Sequence, residues 1–337
     1  MAEMMKAAAV SEPGKIEIVE KQVPEPAEDE VLIKVEASSI CHSDVFTVEA
    51  QRPGIELPIT PGHEVIGEIV RLGDEVSNWS EGERIGVGWH GGHCFECEQC
   101  RQGNFLQCEN QEVTGLTRDG GHAEYMTARK EALAAVPDDL ESVDAAPMMC
   151  AGVTTFNALR HTDARPGDLV AVVGIGGLGH LGVQYASEAG YETVAISHSA
   201  DKEEYGYELG ADHFIDSSAE DPAQALKELG GADVILCTAP VAESIENVVG
   251  GLATNGEVSV VGVPGEEISV NVMDLIGSRG KISGWSTGHA RDNQDTLEFG
   301  SLREIRAETE TFDLDQYAKA YDKMMDGEVR FRAVIEF

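Results

Sequence analysis

Six cysteines and one histidine are spaced as the ligands of two metal sites with different chemistry. Cys94, Cys97, Cys100 and Cys108 form a tight cluster, with two, two and seven residues between successive members. Four thiolates close a tetrahedral zinc site and leave no vacancy, which is how structural zinc is held. Closely spaced cysteines also ligate iron–sulfur clusters. The second set is dispersed: Cys41 and Cys150 lie on either side of Gly62-His63-Glu64. Two thiolates and one imidazole leave a fourth position open to water or substrate, the arrangement of a catalytic zinc. The seventh cysteine, Cys237, sits in the apolar run Val234-Ile-Leu-Cys237 and reads as a core thiol.

These residues need elements to hold them. Up to about residue 130 the chain reads as short strands with Gly/Pro turns, among them Lys15–Val19, Val31–Glu36 and Val65–Val70. The four-cysteine cluster, roughly residues 91–109, has little core of its own, and zinc would staple it. From about residue 168 the pattern alternates. Strands are expected at Leu169–Val173, Thr193–Ile196, His213–Ile215, Asp233–Leu236, Glu257–Val261 and Lys281–Gly284. Helices are expected at Leu178–Glu188, Lys202–Leu209, Pro222–Leu229 and Ala242–Leu252. That alternation predicts a parallel sheet covered on both faces, an α/β doubly wound architecture. A further helix over Leu314–Gly327 and a strand over Phe331–Phe337 complete the pattern.

Val172-Val173 leads into Gly174-Ile-Gly176-Gly177-Leu178-Gly179, which opens a helix. In that setting a G-x-G-x-x-G motif indicates a dinucleotide site: the glycines allow close backbone approach and the pyrophosphate sits on the helix N-terminus. About 20 residues on, an NAD enzyme carries an acidic residue for the ribose 2′-hydroxyl. Here strand Thr193–Ile196 ends in Ser197-His198-Ser199, with Lys202 close behind and no carboxylate at the tip. A hydroxyl, an imidazole and an ammonium suit a 2′-phosphate, so NADP(H) is expected in preference to NAD(H). The alternative is a solvated loop with relaxed cofactor choice.

In order along the chain stand Ser39-Ile-Cys41-His42-Ser43-Asp44, Pro61-Gly-His63-Glu64-Val-Ile-Gly67, Gly120-Gly-His-Ala-Glu-Tyr125 and Cys150-Ala-Gly-Val-Thr154. With the four-cysteine lobe and the glycine motif, this series resembles the medium-chain zinc-dependent alcohol dehydrogenase family over essentially the whole chain. It is most similar to the branch of microbial and yeast-type enzymes and cinnamyl-alcohol-dehydrogenase-like aldehyde reductases. The resemblance implies a GroES-like β-rich catalytic domain, residues 1–150 and 289–337, and a Rossmann cofactor domain, residues 151–288. It implies two zinc ions per chain: Cys41, His63 and Cys150 on the catalytic one, with Glu64 as an outer or alternating fourth ligand, and the four lobe cysteines on the structural one. Asp44 would fix the His63 tautomer, and Ser43 would touch the substrate oxygen and pass on its proton. His42 would face the cofactor phosphates, with Thr154 near the nicotinamide and Thr238 also on the cofactor. Arg332 would meet the pyrophosphate. Trp89, Phe46 and Trp285 hint at an apolar substrate pocket. One departure stands out: many relatives carry a histidine at the outer end of the proton relay where this chain has Phe46.

The expected activity is reversible hydride transfer between NADP(H) and an alcohol/aldehyde pair, in a homo-oligomer, dimer or tetramer. A polyol or sugar dehydrogenase of the same superfamily, which often has a carboxylate in place of the third cysteine, and a catalytically silent NADP-binding relative are the rivals. Composition narrows the rest. With 61 acidic against 24 basic residues the formal net charge is −37, spread along the chain. That argues against nucleic-acid binding and suggests either a plain solvated surface or adaptation to high salt, where screening removes self-repulsion. Only 10 of the basic residues are lysine, which fits the second. No run of 18 apolar residues predicts a membrane span. Without a signal-like N-terminal apolar segment, and with cysteines at metal-ligand spacing, a cytoplasmic location is expected.

Overall fold

The computed structural model describes residues 3–52 and 54–337. The strands of the first part are β1 (Met4–Glu12), β2 (Lys15–Gln22), β3 (Glu30–Ile40), β4 (Val65–Leu72), β5 (Arg84–Val87), β6 (His90–Gly92), β7 (Glu112–Val113), β8 (Tyr125–Arg129) and β9 (Leu133–Ala135). Then, alternating with helices, come β10 (Leu169–Val173), β11 (Glu192–Ser197), β12 (His213–Asp216), β13 (Ala232–Cys237), β14 (Leu252–Val260) and β15 (Lys281–Gly284). The last two are β16 (Thr309–Phe312) and β17 (Arg332–Glu336).

Two compact units result. The first comprises Met1–Val153, Gly288–Leu302 and Arg306–Phe337; the second comprises Thr154–Thr287 and Arg303–Ile305. The break at Val153, rather than Cys150, falls inside the helix Ala151–Arg160, which starts directly after that cysteine. A ligand position marks chemistry and not the point where packing changes.

In the second unit the strand order is β12-β11-β10-β13-β14-β15, every pairing parallel. This is the doubly wound order 3-2-1-4-5-6, whose reversal point lies between its first and fourth strands, here β10 and β13. All five residues of β10 are buried, as expected of a strand covered on both faces. Its Ala171 and Val173 join Val194, Ile196, Ile235 and Val258 in the core. The stretch Ala242–Leu252, expected as one helix, is a helix only to Glu246. A 3-10 turn follows at Val249–Gly251, and Leu252 opens β14. At Gly251 a Cβ would lie 2.7 Å from Leu226 Cδ1, so the chain passes the helix Pro222–Glu228 there without a side chain.

In the first unit β16-β17-β3-β4-β5-β9 form one sheet, with β8 also on β3. The antiparallel register Ala333↔Ile40 and Val334↔Ser39 sets β17 beside the end of β3. A second backbone clasp joins the segment before His63 to the one before β8: Gly120 N donates to Thr60 O (2.7 Å), His122 N to Pro61 O (3.1 Å) and Gly121 N to Gly62 O (3.0 Å). Among the described residues no helix is long and apolar enough to cross a membrane.

Candidate metal and dinucleotide sites

Cys41 is the first residue beyond β3, His63 lies two residues before β4, and Cys150 ends the turn Ala146–Met149. Strand pairing and the 60–62/120–122 clasp bring these ends together. The Sγ atoms of Cys41 and Cys150 and a ring nitrogen of His63 lie within 4.8 Å of one another, and all three residues are buried. His63 Nδ1 is hydrogen-bonded to Asp44 Oδ1 at 3.1 Å, while its Nε2 is buried with no hydrogen-bond partner. An ionised carboxylate only accepts, so Nδ1 carries a proton, and Nε2 is the nitrogen left for a metal ion. Two free thiols and that nitrogen, all on buried residues, fit the donor set of a zinc ion. The two thiols interact strongly: a hydrogen bond from Cys150 holds the Cys41 thiol well below its ordinary pKa, and Cys150 is raised in turn. A divalent cation would take the place of the proton they contest.

Asp44 is nearly inaccessible, and burial alone would raise its carboxyl. The facing His63 and His122 instead hold it well below the usual carboxylate range. Its Oδ2 accepts the Cys41 N–H at 2.9 Å. Ser43, in the same turn, is half-buried, and His42 is exposed. Trp89 meets the His63 ring edge-on, 4.9 Å between centroids. Phe46 serves as the platform for the Arg52 guanidinium, 4.3 Å above its ring. Trp285 belongs to the second unit, where it stacks on His161 at 4.2 Å.

Glu64 and Arg332 are joined to each other. Glu64 is not among the three converging ligands; its Oε2 pairs with Arg332 Nη2, and its Oε1 accepts from Ala151 N at 3.2 Å. Burial pushes its carboxyl up to about 7 against the pull of that guanidinium. Arg332, expected on a pyrophosphate, is 4% exposed, and its Nη2 also donates to Ser39 Oγ (3.2 Å) and Ile40 O (3.1 Å). The β17–β3 register places it there. A buried carboxylate stripped of its partner costs about 3–5 kcal/mol, which holds Arg332 Nη2 on Glu64, while Arg332 Nε is buried with no hydrogen-bond partner.

The four lobe cysteines converge between β6 and β7. Sγ–Sγ separations are 3.5 Å (Cys94–Cys108), 3.9 Å (Cys97–Cys108) and 4.0 Å (Cys94–Cys100). Zinc–sulfur bonds of about 2.3 Å in a tetrahedron put sulfurs about 3.8 Å apart, so the cage already has the size of the ion. Backbone N–H groups of Cys97 (3.4 Å) and Asn110 (3.3 Å) point at the sulfurs. The N–H groups of Cys97 and Glu96 bring the Cys94 thiol down to about 6. His93 stacks on Phe105 at 4.1 Å and supplies the packing the lobe otherwise lacks. Cys237 is buried in β13, its thiol pushed up to about 12 by burial.

In the second unit, β10 runs into the glycine turn. Gly174 has φ +92°, and a Cβ on Gly179 would fall 1.7 Å from Gly174 O, so both must be glycine for turn and helix to close. Gly176 is the opposite case: a Cβ there would meet nothing within 4 Å. The open space it leaves, over a helix (Gly179–Glu188) whose N-cap Leu178 makes no side-chain cap, fits a pyrophosphate. Gly177 is half-buried in the same turn. Thr238 braces it from β13, its Oγ1 donating to Val173 O and Gly174 O, both at 2.9 Å. Ser197 is buried at the end of β11, His198 is exposed, and Ser199 caps the next turn by accepting from Asp201 N at 3.2 Å. Lys202 Nζ donates to Ile175 O at 2.6 Å, which anchors the ammonium on the glycine loop. Thr154 is buried in the helix Ala151–Arg160. Sequence reading missed Asp216. It pairs with Ser197 across β11–β12, and its Oδ1 accepts from Ser218 N and Oγ, which hold its carboxyl below the usual range.

The alcohol dehydrogenase GroES-like domain matches residues 27–138, and the zinc-binding dehydrogenase domain matches residues 177–301. An alcohol dehydrogenase of Penicillium expansum, patD, is 46% identical over 310 residues, 92% of this chain and 91% of that protein. This chain is a member of the medium-chain zinc alcohol dehydrogenase family. It is therefore built as a GroES-like domain joined to a Rossmann-type domain, and it is an oxidoreductase. Among solved members of the family, a cinnamyl alcohol dehydrogenase of Sorghum bicolor superposes with a TM-score of 0.90 at 28% identity, over 99% of this chain and 98% of that one. A thermostable alcohol dehydrogenase of Pyrobaculum aerophilum, solved with cobalt and zinc, gives 0.88 at 26% identity, over 99% and 100%.

Proposed function

We propose that this dehydrogenase is a zinc-dependent reductase of aldehydes, reversible to alcohols, that prefers NADP(H). The observation that carries the reading is the buried convergence of Cys41, His63 and Cys150, with His63 Nε2 aimed into it and left without a partner. Those three residues would hold the catalytic ion, and Cys94, Cys97, Cys100 and Cys108 the structural one. When bound, the catalytic ion supplies Lewis acidity, polarising a carbonyl or lowering the pKa of an alcohol. The nicotinamide supplies or accepts the hydride. Ser43, half-buried in the Cys41–Asp44 turn, holds the substrate hydroxyl proton and hands it on, and His42 beside it faces solvent. Asp44 keeps His63 Nε2 pointed at the pocket. Trp89 covers the His63 edge and excludes water on that side.

Preference for a 2′-phosphate is supported by Ser197, His198 and Ser199 at the end of β11 and by Lys202 beside them. Asp216 opposes it from the next strand, but its carboxylate is occupied by Ser218. The enzyme works as a homo-oligomer in this reading. The edge strand β15 and the exposed Val272, Met273 and Ile276 of the neighbouring helix support that, and sedimentation tests it. The charge of −37 supports salt adaptation, and free cysteines at metal-ligand spacing support a reducing, cytoplasmic location. Steady-state reduction of benzaldehyde with NADPH and NADH, at low and molar KCl, tests the whole. NADPH is expected to win and activity to persist in molar salt. Lys202→Ala should cut kcat/KM for NADPH about tenfold or more, the size of one lost charge-assisted hydrogen bond, and leave NADH nearly untouched. Equal use of both cofactors by the wild type would overturn the phosphate reading alone.

A further inference from the structure

We infer that His122 is a positioning residue for the catalytic metal: it completes a hydrogen-bond chain that locks Asp44, and through Asp44 fixes His63 as a ligand. The inference rests on the metal-site reading above and deepens it. His122 lies outside the ligand set, in a glycine-rich segment, and it is fully buried. Its Nδ1 is 2.9 Å from Ser38 Oγ, and its Nε2 is 3.5 Å from Asp44 Oδ2. An ionised carboxylate has no proton to give, so Nε2 of His122 donates to Asp44. Its other nitrogen, Nδ1, is hydrogen-bonded to the Ser38 hydroxyl. On its other side Asp44 Oδ1 accepts from His63 Nδ1 at 3.1 Å, leaving His63 Nε2 bare toward Cys41 and Cys150. The chain runs from Ser38 through His122 to Asp44, met from the far side by His63.

A buried carboxylate stays ionised only when its lone pairs are met. Asp44 has three donors: Cys41 N, His63 Nδ1 and His122 Nε2. The first two come from residues that are themselves ligands, so His122 alone holds the carboxylate independently of the metal pocket. The backbone is arranged for it. Gly62, at φ +104°, has no side chain because a Cβ would lie 2.8 Å from the His122 ring, and Tyr317 packs on the same ring at 4.7 Å. The clasp between residues 60–62 and 120–122 carries His63 and His122 on paired segments.

The test is zinc release from the fully loaded wild type and from His122→Phe, His122→Gln and Ser38→Ala, followed with a chromophoric chelator. Thermal melting and the cobalt-substituted spectrum are measured alongside. The wild type is expected to hold two zincs and to release them in two phases, one for each cysteine set. In His122→Phe the catalytic phase should quicken about three- to tenfold, below the 10–100-fold that loss of a direct partner typically costs, with the lobe phase unchanged. Ser38→Ala should give a smaller change in the same direction. His122→Gln, whose amide both donates and accepts, should restore most of the wild-type rate. A catalytic phase unchanged in His122→Phe, or quickened equally in His122→Gln, would overturn the inference and leave the metal site standing. A wild type that binds zinc only at the four-cysteine lobe would overturn both.

Discussion

The two cysteine sites of this molecule hold their sulfurs by opposite means. In the lobe all four ligands lie within one short loop, between Cys94 and Cys108, and the donors aimed at the sulfurs are backbone N–H groups of that loop. At Cys41, His63 and Cys150 the ligands come from three distant segments, and the supporting contacts are buried side chains: Asp44, His122, Glu64 and Arg332. A local cage is built by sequence spacing and is closed by its ion. A dispersed cage is built by the fold and can leave a side open for chemistry. In the proposed function the difference separates what each site would contribute, stability from one and turnover from the other.

That separation can be broken most sharply at Cys150. Cys150→Ser should lower kcat by at least about a thousandfold, several kcal/mol of lost transition-state stabilisation, while NADPH binding and one zinc per chain remain. Retained turnover would remove Cys150 from the site. Next, Asp44→Asn should weaken zinc at the dispersed site about 10–100-fold without touching the lobe, read by chelator competition. In the lobe, Cys97→Ser should leave kcat within a few-fold and lower the melting temperature by roughly 5–10 °C, a few kcal/mol of lost folding energy. A collapse of kcat with Tm unchanged would reverse the division of labour. The smallest effect belongs to Phe105→Leu, which removes the ring under His93. It should cost about 1 kcal/mol, roughly 2 °C in a thermal melt, with both zincs retained.

What could be read from the sequence follows the same division. The lobe is local, so spacing alone exposes it. The second unit is legible because strands buried on both faces, such as β10, are continuous apolar runs between helical stretches. Contacts made by strand pairing are not legible. Arg332 looks like a free cation near a cofactor until β17 is seen to pair with β3, where Glu64 claims it. Asp216 escapes notice because it is 19 residues after Ser197 in the chain but beside it in the sheet. His122, between Gly121 and Ala123, has no ligand spacing to recommend it; its signal is the geometry of Asp44. Ala242–Leu252 is not a single helix, and a helical pattern does not reveal that Gly251 passes against Leu226.

The pairing of Glu64 with Arg332 spans 268 residues of chain. During synthesis at about 5–20 residues per second, roughly 13–54 s separate the emergence of the carboxylate from that of its cation. For that interval the strands around Cys41 and His63 have no counter-charge to bury, and β3 has an unpaired edge where β17 will dock. The pocket is thus finished from its far end. Its assembly is timed by the last strand of the sheet, so a ribosome-bound chain halted before residue 332 should carry a zinc-ready lobe beside an immature reaction centre.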